Sequence, residues 1–332
     1  MTTSKEEVQK SALSRYQEMI RASLNTYLEN SKKGELYAPI HYLLKLGGKR
    51  LRPALVLAAT DAFDGSAEDA VPAALAIEVF HNFTLMHDDI MDQAPLRRGF
   101  ETVHVKWNTN AAILSGDTML VQAYQLLAQS KPNQLPQLLQ LFSTTAIEVC
   151  EGQQLDMEFE NRTDVHVVEY IEMIRLKTSV LLAAALKTGA LVANASEEDC
   201  EHIYKFGEQI GLAFQLRDDY LDAFGEQEKF GKLVGGDILA DKKTFLWIRA
   251  HELASETQLE EISLALKSGM TNNQKVEAFK NFFETTGARE ELKIRMQSHV
   301  DEAMSHLHAC NLNENGVTVL QEFVNIIIHR EE

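Results

Sequence analysis

Val79–Asp92, VFHNFTLMHDDIMD, sets three carboxylates, Asp88, Asp89 and Asp92, inside an otherwise apolar run. Leu85 and Met86 precede them, and Ile90 and Met91 lie between them. Burying an unpaired charge is expensive, so these acids either turn away from the core or share their surroundings with a cation. At helical spacing Asp88 and Asp92 stand at i and i+4, on one face and about 5.4 Å apart along the axis. The stretch therefore predicts a helix that is apolar for most of its length and acidic at one end.

A second copy follows. FQLRDDYLDAF carries Asp218, Asp219 and Asp222, again with apolar residues on both sides, and Asp218 and Asp222 repeat the i, i+4 pair. Two solvated acidic patches would be flanked by polar residues, and these are not. Two carboxylate pairs suit Mg²⁺, which takes a few carboxylates, keeps waters and completes its octahedron with substrate phosphates. Such a ligand needs cations of its own. LGGKRLRP supplies Lys49, Arg50 and Arg52; PLRRG supplies Arg97 and Arg98; RLKTSVL supplies Lys177 beside Thr178; FGKLVGGD supplies Lys232; DKKTFL supplies Lys242 and Lys243. Arginine forks and lysine point charges placed near glycines and acids are a chemistry for diphosphate.

The rest of the chain reads as helix after helix. All six prolines lie at or before Pro136, and the proline-free remainder is rich in Leu, Ala, Glu, Gln and Lys. Leu13, Tyr16, Ile20, Leu24 and Tyr27 recur at three- and four-residue steps, as do Val319, Phe323, Ile326 and Ile327. AFDGSAEDAVP and LVANASEEDCEHI read as connections with acidic starts to the next helix. No alternating strand and no β-hairpin signal is seen. Without a Gly/Ser/Pro linker, the 332 residues are expected to form a single all-α domain.

Composition narrows the function. A net charge of −17 argues against nucleic acid as a partner. Apolar runs such as Val180–Leu186 are too short for a membrane span. MTTSKEEVQK has no apolar h-region, so the cytoplasm is the expected location. Cys150, Cys200 and Cys310 are too widely spaced for a disulfide framework or a thiolate metal site.

GGKRLRP, HDDIMDQAPLRRG, LKTSVL, FQLRDDYLD and FGKLVGGDI…KKT, in that order and spacing from about Ile40 to Thr244, resemble the motif set of the trans-isoprenyl diphosphate synthases, of the short-chain, geranylgeranyl or farnesyl type. The resemblance implies an all-α bundle around a deep central cavity (the isoprenoid synthase fold), usually a homodimer. It implies head-to-tail condensation of isopentenyl diphosphate with an allylic diphosphate (dimethylallyl, geranyl or farnesyl). Asp88, Asp89, Asp92, Asp218 and Asp222 then match the ligands of Mg²⁺, three ions bound with the allylic diphosphate. Arg97, Lys177, Thr178, Gln215, Lys232 and Lys242 match its diphosphate contacts, and Lys49, Arg52, His81 and Arg98 match the isopentenyl diphosphate pocket.

Ionising an allylic C–O bond requires the leaving diphosphate's charge to be neutralised, which these residue types do, and an apolar cavity keeps water from the cation. A tail anchored at Asp88 runs back along its helix. Thr84 and Phe83 stand four and five positions before Asp88, about one turn deeper, and Phe80 about another turn below. Phe83 is large enough to stop a tail and Thr84 leaves some room. A single large residue at this pair resembles a geranylgeranyl more than a farnesyl synthase, which implies a twenty-carbon product, with farnesyl diphosphate as the alternative.

Other signals carry less. GEQEKFGKL is no P-loop, since Gly225 to Gly231 is one residue too long and Leu233 stands where Ser or Thr should bind a metal. His306 and Cys310, at i and i+4, lack two further zinc ligands. His87 could touch diphosphate or simply solvent, and Gln153 with Asp156 suggests either a cavity face or a solvated one. A class I terpene cyclase would replace the second acidic motif and lack Lys49 and Arg52. A non-catalytic partner subunit would usually lose one acidic motif, and this chain keeps both.

Overall fold

A computed structural model describes residues 12–225 and 235–328. They are almost entirely helical, as the sequence periodicity predicts. The exception is a short antiparallel hairpin, β1 (Leu96–Arg97) with β2 (Phe100–Glu101), paired Leu96 to Glu101 and Arg97 to Phe100. No strand pattern marks it because it is two residues long on each side; its signal is the turn. Arg98 and Gly99 sit at φ 54° and 80°, the left-handed pair that a two-residue hairpin turn requires.

The chain divides into two compact units. The first holds residues up to Phe142 together with Ala185–Cys200 and Asn311–Phe323. It contains α1 (Ala12–Asn30), α2 (Ala38–Lys45), α3 (Leu51–Ala62), α4 (Ala67–Met91), the hairpin, α5 (Val103–Lys106), α6 (Thr109–Leu127) and the opening of α7 (Leu135–Glu160). α4 is its core helix. Ala73, Ala74, Leu75, Ala76, Ile77, Val79 and Phe80 are all buried, so the helix is apolar round its circumference and packs on α3 and α6. Its start carries Glu68 and Asp69 in the first turn, where the helix dipole favours anions. The Asp61 carboxylate accepts the Ala67 N–H at 2.9 Å, taking up one donor that the first turn leaves without an intrahelical partner.

One charge interrupts this apolar helix. Glu78 is 2% exposed, and the Arg50 guanidinium donates to its carboxylate and to the Leu44 carbonyl. Asn82 donates to the same Glu78 oxygen at 2.7 Å. Arg50 itself sits at φ 51°, after Gly47 and Gly48 at 84° and 125°. Gly47, Gly48 and Arg50 of the GGKR segment are thus left-handed, a conformation that glycine adopts at little cost, and the arginine is sunk into the core. This pair joins the end of α2, the start of α3 and the middle of α4.

The second unit holds Ser143–Ala184, Glu201–Cys310 and residues from Val324 on. It contains the rest of α7, α8 (Val167–Ile174), a π turn (Arg175–Ser179), the start of α9 (Val180–Val192), most of α10 (Glu197–Phe224), α11 (Gly236–Leu239), α12 (Phe245–Leu253), α13 (Glu256–Lys267), α14 (Asn272–Thr285), α15 (Ala288–Ala309) and the end of α16 (Glu314–Ile328). Its core is aromatic, with Phe159, Tyr170, Phe245, Phe279, Phe282 and Phe283 in one cluster. In this proline-free region α13 and α14 start on side-chain caps: Ser255 accepts from Gln258 N and Thr271 from Gln274 N, each with the glutamine reaching back.

His306 lies with its Nδ1 3.0 Å from Nδ1 of His202, and the Cys310 thiol points at the His306 carbonyl. Among the described residues no helix is long and apolar enough to cross a membrane.

Glu78→Ala leaves Arg50 buried without its counter-charge, and urea denaturation is expected to show a loss of about 3–5 kcal/mol. Arg50→Met combined with Glu78→Leu removes both charges and is expected to recover most of that loss.

Candidate active site

In the first unit the hairpin aims two arginines at two different partners. Arg97, on β1, lays its guanidinium on Asp89, with Nε 2.9 Å from both carboxylate oxygens and Nη2 at 2.7 Å. Asp89 is 2% exposed. Asp89 is expected among the metal carboxylates; here helical rotation turns it into the core, and both its oxygens accept from Arg97. Arg98, at the turn, donates to the Gly47 carbonyl. A Cβ on Gly48 would come within 2.9 Å of the Arg98 guanidinium, a side-chain end that can move aside, and it is the φ of 125° that calls for glycine there.

The same basic loop carries Lys49, which is exposed, and Arg52, whose Nη1 lies 3.5 Å from Nε2 of His81. Burial, followed by the charges of Arg52, Arg98, Arg97 and Arg50, pushes the His81 pKa well below its ordinary value. His81 is a neutral imidazole with Nε2 facing a cation. The four residues expected at the isopentenyl diphosphate pocket are linked in two pieces: Arg52 with His81, and Arg98 with the loop that carries Lys49.

Asp88 is half-buried and Asp92 exposed, one turn apart on α4, while Asp89 points inward. Behind them α4 carries an aromatic ladder. His87 and Phe83 are 4.8 Å apart, Phe83 and Phe80 5.6 Å, Phe80 and Phe142 5.2 Å, and Phe142 and Tyr124 5.0 Å between ring centres. Thr84 is half-buried and spends its hydroxyl on the His81 carbonyl at 2.8 Å. His87 turns to α6: its Nε2 is 3.3 Å from the Ile113 carbonyl, and a Cβ on Gly116 would collide with its ring.

In the second unit a cavity of about 170 Å³ is lined by Asp156, Lys177, Thr178, Gln215, Asp219 and Lys242, among others. Lys177 and Thr178 project from the π turn, a widened turn that often marks a functional position. Lys177 is ion-paired with Asp156 of α7, which places that acid on the cavity side. Thr178 donates to Gln215 at 3.3 Å, and Gln215 donates on to Asp219 at 3.3 Å. Asp219 repeats the behaviour of Asp89. It is 4% exposed, accepts from Tyr170 at 2.5 Å and from Phe245 N at 3.3 Å, and burial pushes its pKa up to about 7.

Asp218 and Asp222 are half-buried. Asp222 accepts the Asp237 N–H at 3.0 Å, and its carbonyl accepts the Gly235 N–H at 2.6 Å. The short Gly235–Asp237 segment thus caps the second motif. Lys242 lies 4.0 Å from Asp237. Lys232 falls outside the described residues.

Each motif offers two hard carboxylate ligands on one helical face, the donor set that suits Mg²⁺. Among the described residues no three His, Cys, Asp or Glu side chains come together to hold a metal ion.

Residues 33–283 match the family model described as polyprenyl synthetase. The chain belongs to the polyprenyl synthetase family. It is a prenyltransferase of the trans-isoprenyl diphosphate synthase class. It is 42% identical over 259 residues to the geranylgeranyl diphosphate synthase of Methanosarcina mazei, covering 75% of this chain and 80% of that one. A crystal structure of a geranylgeranyl pyrophosphate synthase matches with a TM-score of 0.89 and 43% identity, covering 100% of both chains. The geranylgeranyl pyrophosphate synthase of Corynebacterium glutamicum, solved with isoprenyl diphosphate and magnesium, matches with a TM-score of 0.86 and 27% identity over 96% of this chain and 99% of that one.

For a polyprenyl synthetase the basic and acidic side chains were legible in sequence, but several of their holders were not. Glu78 had a signal, a lone acid amid Ala, Ile and Val one turn before His81 and Asn82. Tyr170 and Asp237 had none, because what makes them partners of Asp219 and Asp222 is proximity in space.

The depressed His81 pKa has a sign. The unfolded chain binds a proton at this histidine near pH 6.5 and the folded chain does not, so stability is full above that pH and declines as pH falls below it. His81→Gln is expected to flatten the dependence of the unfolding midpoint on pH below about 6.5, as read by thermal melts across pH.

Proposed function

We propose that this polyprenyl synthetase condenses isopentenyl diphosphate head to tail with an allylic diphosphate, with geranylgeranyl diphosphate as the main product. We take it to act as one catalytic domain over residues 1–332 and to assemble as a homodimer. The observation that carries the reading is the twice-repeated division of an acidic motif. One carboxylate is buried as a positioning group, and the outer two are left on one helical face. The names of its relatives support the product class.

Asp88 and Asp92, and Asp218 and Asp222, hold Mg²⁺ against the allylic diphosphate. The three ions expected there would, when bound, supply positive charge to stabilise a leaving diphosphate. Lys177, Thr178, Gln215 and Lys242 are assigned to that group, and Lys232, outside the described residues, is assigned to it by motif alone. Arg97 is fixed by Asp89 and is preoriented for the same diphosphate. Lys49, Arg52, Arg98 and neutral His81 bind isopentenyl diphosphate as a separate anion. Preorganised cations aimed at developing charge lower the barrier to ionisation without reorganising in the step. The apolar lining keeps water from the allylic cation.

Product length follows from α4. A tail running back from Asp88 meets Phe83 after about 7.5 Å of helix. Phe83 is backed by Phe80, which is itself backed by Phe142, so this floor is rigid. Thr84 is small and has its hydroxyl satisfied, leaving width beside the ring.

Asp88→Ala and Asp218→Ala are each expected to lower kcat by about 10²-fold or more while the protein stays folded by circular dichroism; near-normal turnover in either would contradict the assignment. Phe83→Ala is expected to lengthen the products sized by reversed-phase chromatography. An unchanged product spectrum would remove Phe83 as the floor.

A further inference from the structure

The π turn Arg175–Ser179 is met by two glycines in the interiors of other helices. A Cβ on Gly152 of α7 would lie 2.3 Å from the Lys177 backbone nitrogen and 2.7 Å from the Leu176 carbonyl carbon. A Cβ on Gly211 of α10 would lie 2.6 Å from Ser179 Cα and 2.7 Å from Ser179 Cβ. The atoms in the way are backbone, Cα and Cβ, which cannot swing aside. Glycine weakens a helix interior relative to alanine, so both helices carry it at a cost in propensity where the π turn comes closest.

Each helix adds a polar hold one turn further along the same face. On α7, Asp156 stands four residues after Gly152 and is ion-paired with Lys177. On α10, Gln215 stands four residues after Gly211 and accepts from Thr178. Positions i and i+4 share a helical face, so each helix offers the turn a gap and then an anchor. The two glycine contacts fall on Lys177 and Ser179 and bracket Thr178. The Ser179 hydroxyl closes the turn from inside, 3.4 Å from the Ile174 carbonyl.

We propose that Gly152 with Asp156, and Gly211 with Gln215, form a two-sided seat that fixes the π turn and are positioning residues for Lys177 and Thr178. The wide turn is a poor structure by itself; the seat selects it over a regular helical turn and sets where the ammonium and hydroxyl point. This rests on the proposed role of Lys177 and Thr178 in holding the allylic diphosphate.

The test is steady-state kinetics of the full chain, varying each substrate in turn. Gly152→Ala and Gly211→Ala are expected to raise KM for the allylic diphosphate tenfold or more and to leave KM for isopentenyl diphosphate within twofold. Gly189→Ala is the control, because its Cβ would meet the Val56 carbonyl at 2.3 Å, as tight a clash away from the π turn. It is expected to lower the melting temperature and to change neither KM by more than twofold. Lys177→Ala should by itself raise the allylic KM. In that background Gly152→Ala is expected to add less than twofold, since residues acting through one group are not additive.

If Lys177→Ala has its effect and the two glycine variants behave like Gly189→Ala, the seat is refuted while the function stands. If Lys177→Ala has none, the proposed function fails at this residue. Should a glycine variant not fold, Ser179→Gly, which deletes the Cβ and Oγ facing Gly211 and creates no clash, is expected to raise the allylic KM at least threefold. An unchanged value would equally overturn the proposal.

Discussion

An α-helix turns through about 100° per residue, and that rotation divides each acidic motif into two kinds of carboxylate. Asp88 and Asp92 share one face of α4, and Asp218 and Asp222 share one face of α10. The acid between them is carried round into the core in both cases, with Asp89 at 2% and Asp219 at 4% exposure. A carboxylate in that position must be paired, hydrogen-bonded or protonated. The two motifs meet the requirement differently. Asp89 takes an arginine, and Asp219 takes a phenol, an amide and a backbone N–H, and its pKa rises to about 7.

These inner acids organise what lies near the outer ones. Asp89 fixes Arg97, which stands at the base of a hairpin turn whose next residue, Arg98, reaches the glycine loop. Asp219 gathers Tyr170, Gln215 and the start of α12, and through Gln215 it reaches Thr178. Positioning by buried polar groups is high-stakes, because every member must be satisfied. The reward is that side chains with many rotamers are held in one arrangement before any substrate binds. The Arg50–Glu78 pair does the same one layer deeper, fixing the loop that bears Lys49 and Arg52 to the helix that bears His81.

α4 therefore carries four functions along one axis: Glu78 as structural anchor, His81 beside the basic loop, Phe83 and Thr84 with the aromatic ladder, and Asp88 and Asp92 at its end. A helix rises about 1.5 Å per residue, so the separation of the acids from the aromatic rings along α4 is set by their spacing in the sequence. The π turn works by the opposite principle. It is locally unfavourable, and it persists because Gly152 and Gly211 let α7 and α10 approach more closely than any residue with a Cβ would allow.

The helical class, the acidic pairs and the cationic partners were all readable in the sequence. Each depends on residue type and near spacing, and the 3.6-residue period makes i and i+4 neighbours whatever the rest of the chain does. The inward turn of Asp89 was readable by the same rule, although the motif's uniform chemistry hid it. What tertiary structure alone decided was which opposite charge each buried acid received, that LRRGFE closes as a hairpin, and that five residues around Lys177 form a π turn. Arg50 and Glu78 are 28 residues apart, Tyr170 and Asp219 are 49 apart, and Gly152 meets Lys177 from another helix. No local spacing encodes those meetings; they exist because packing brings distant segments to the same few ångströms.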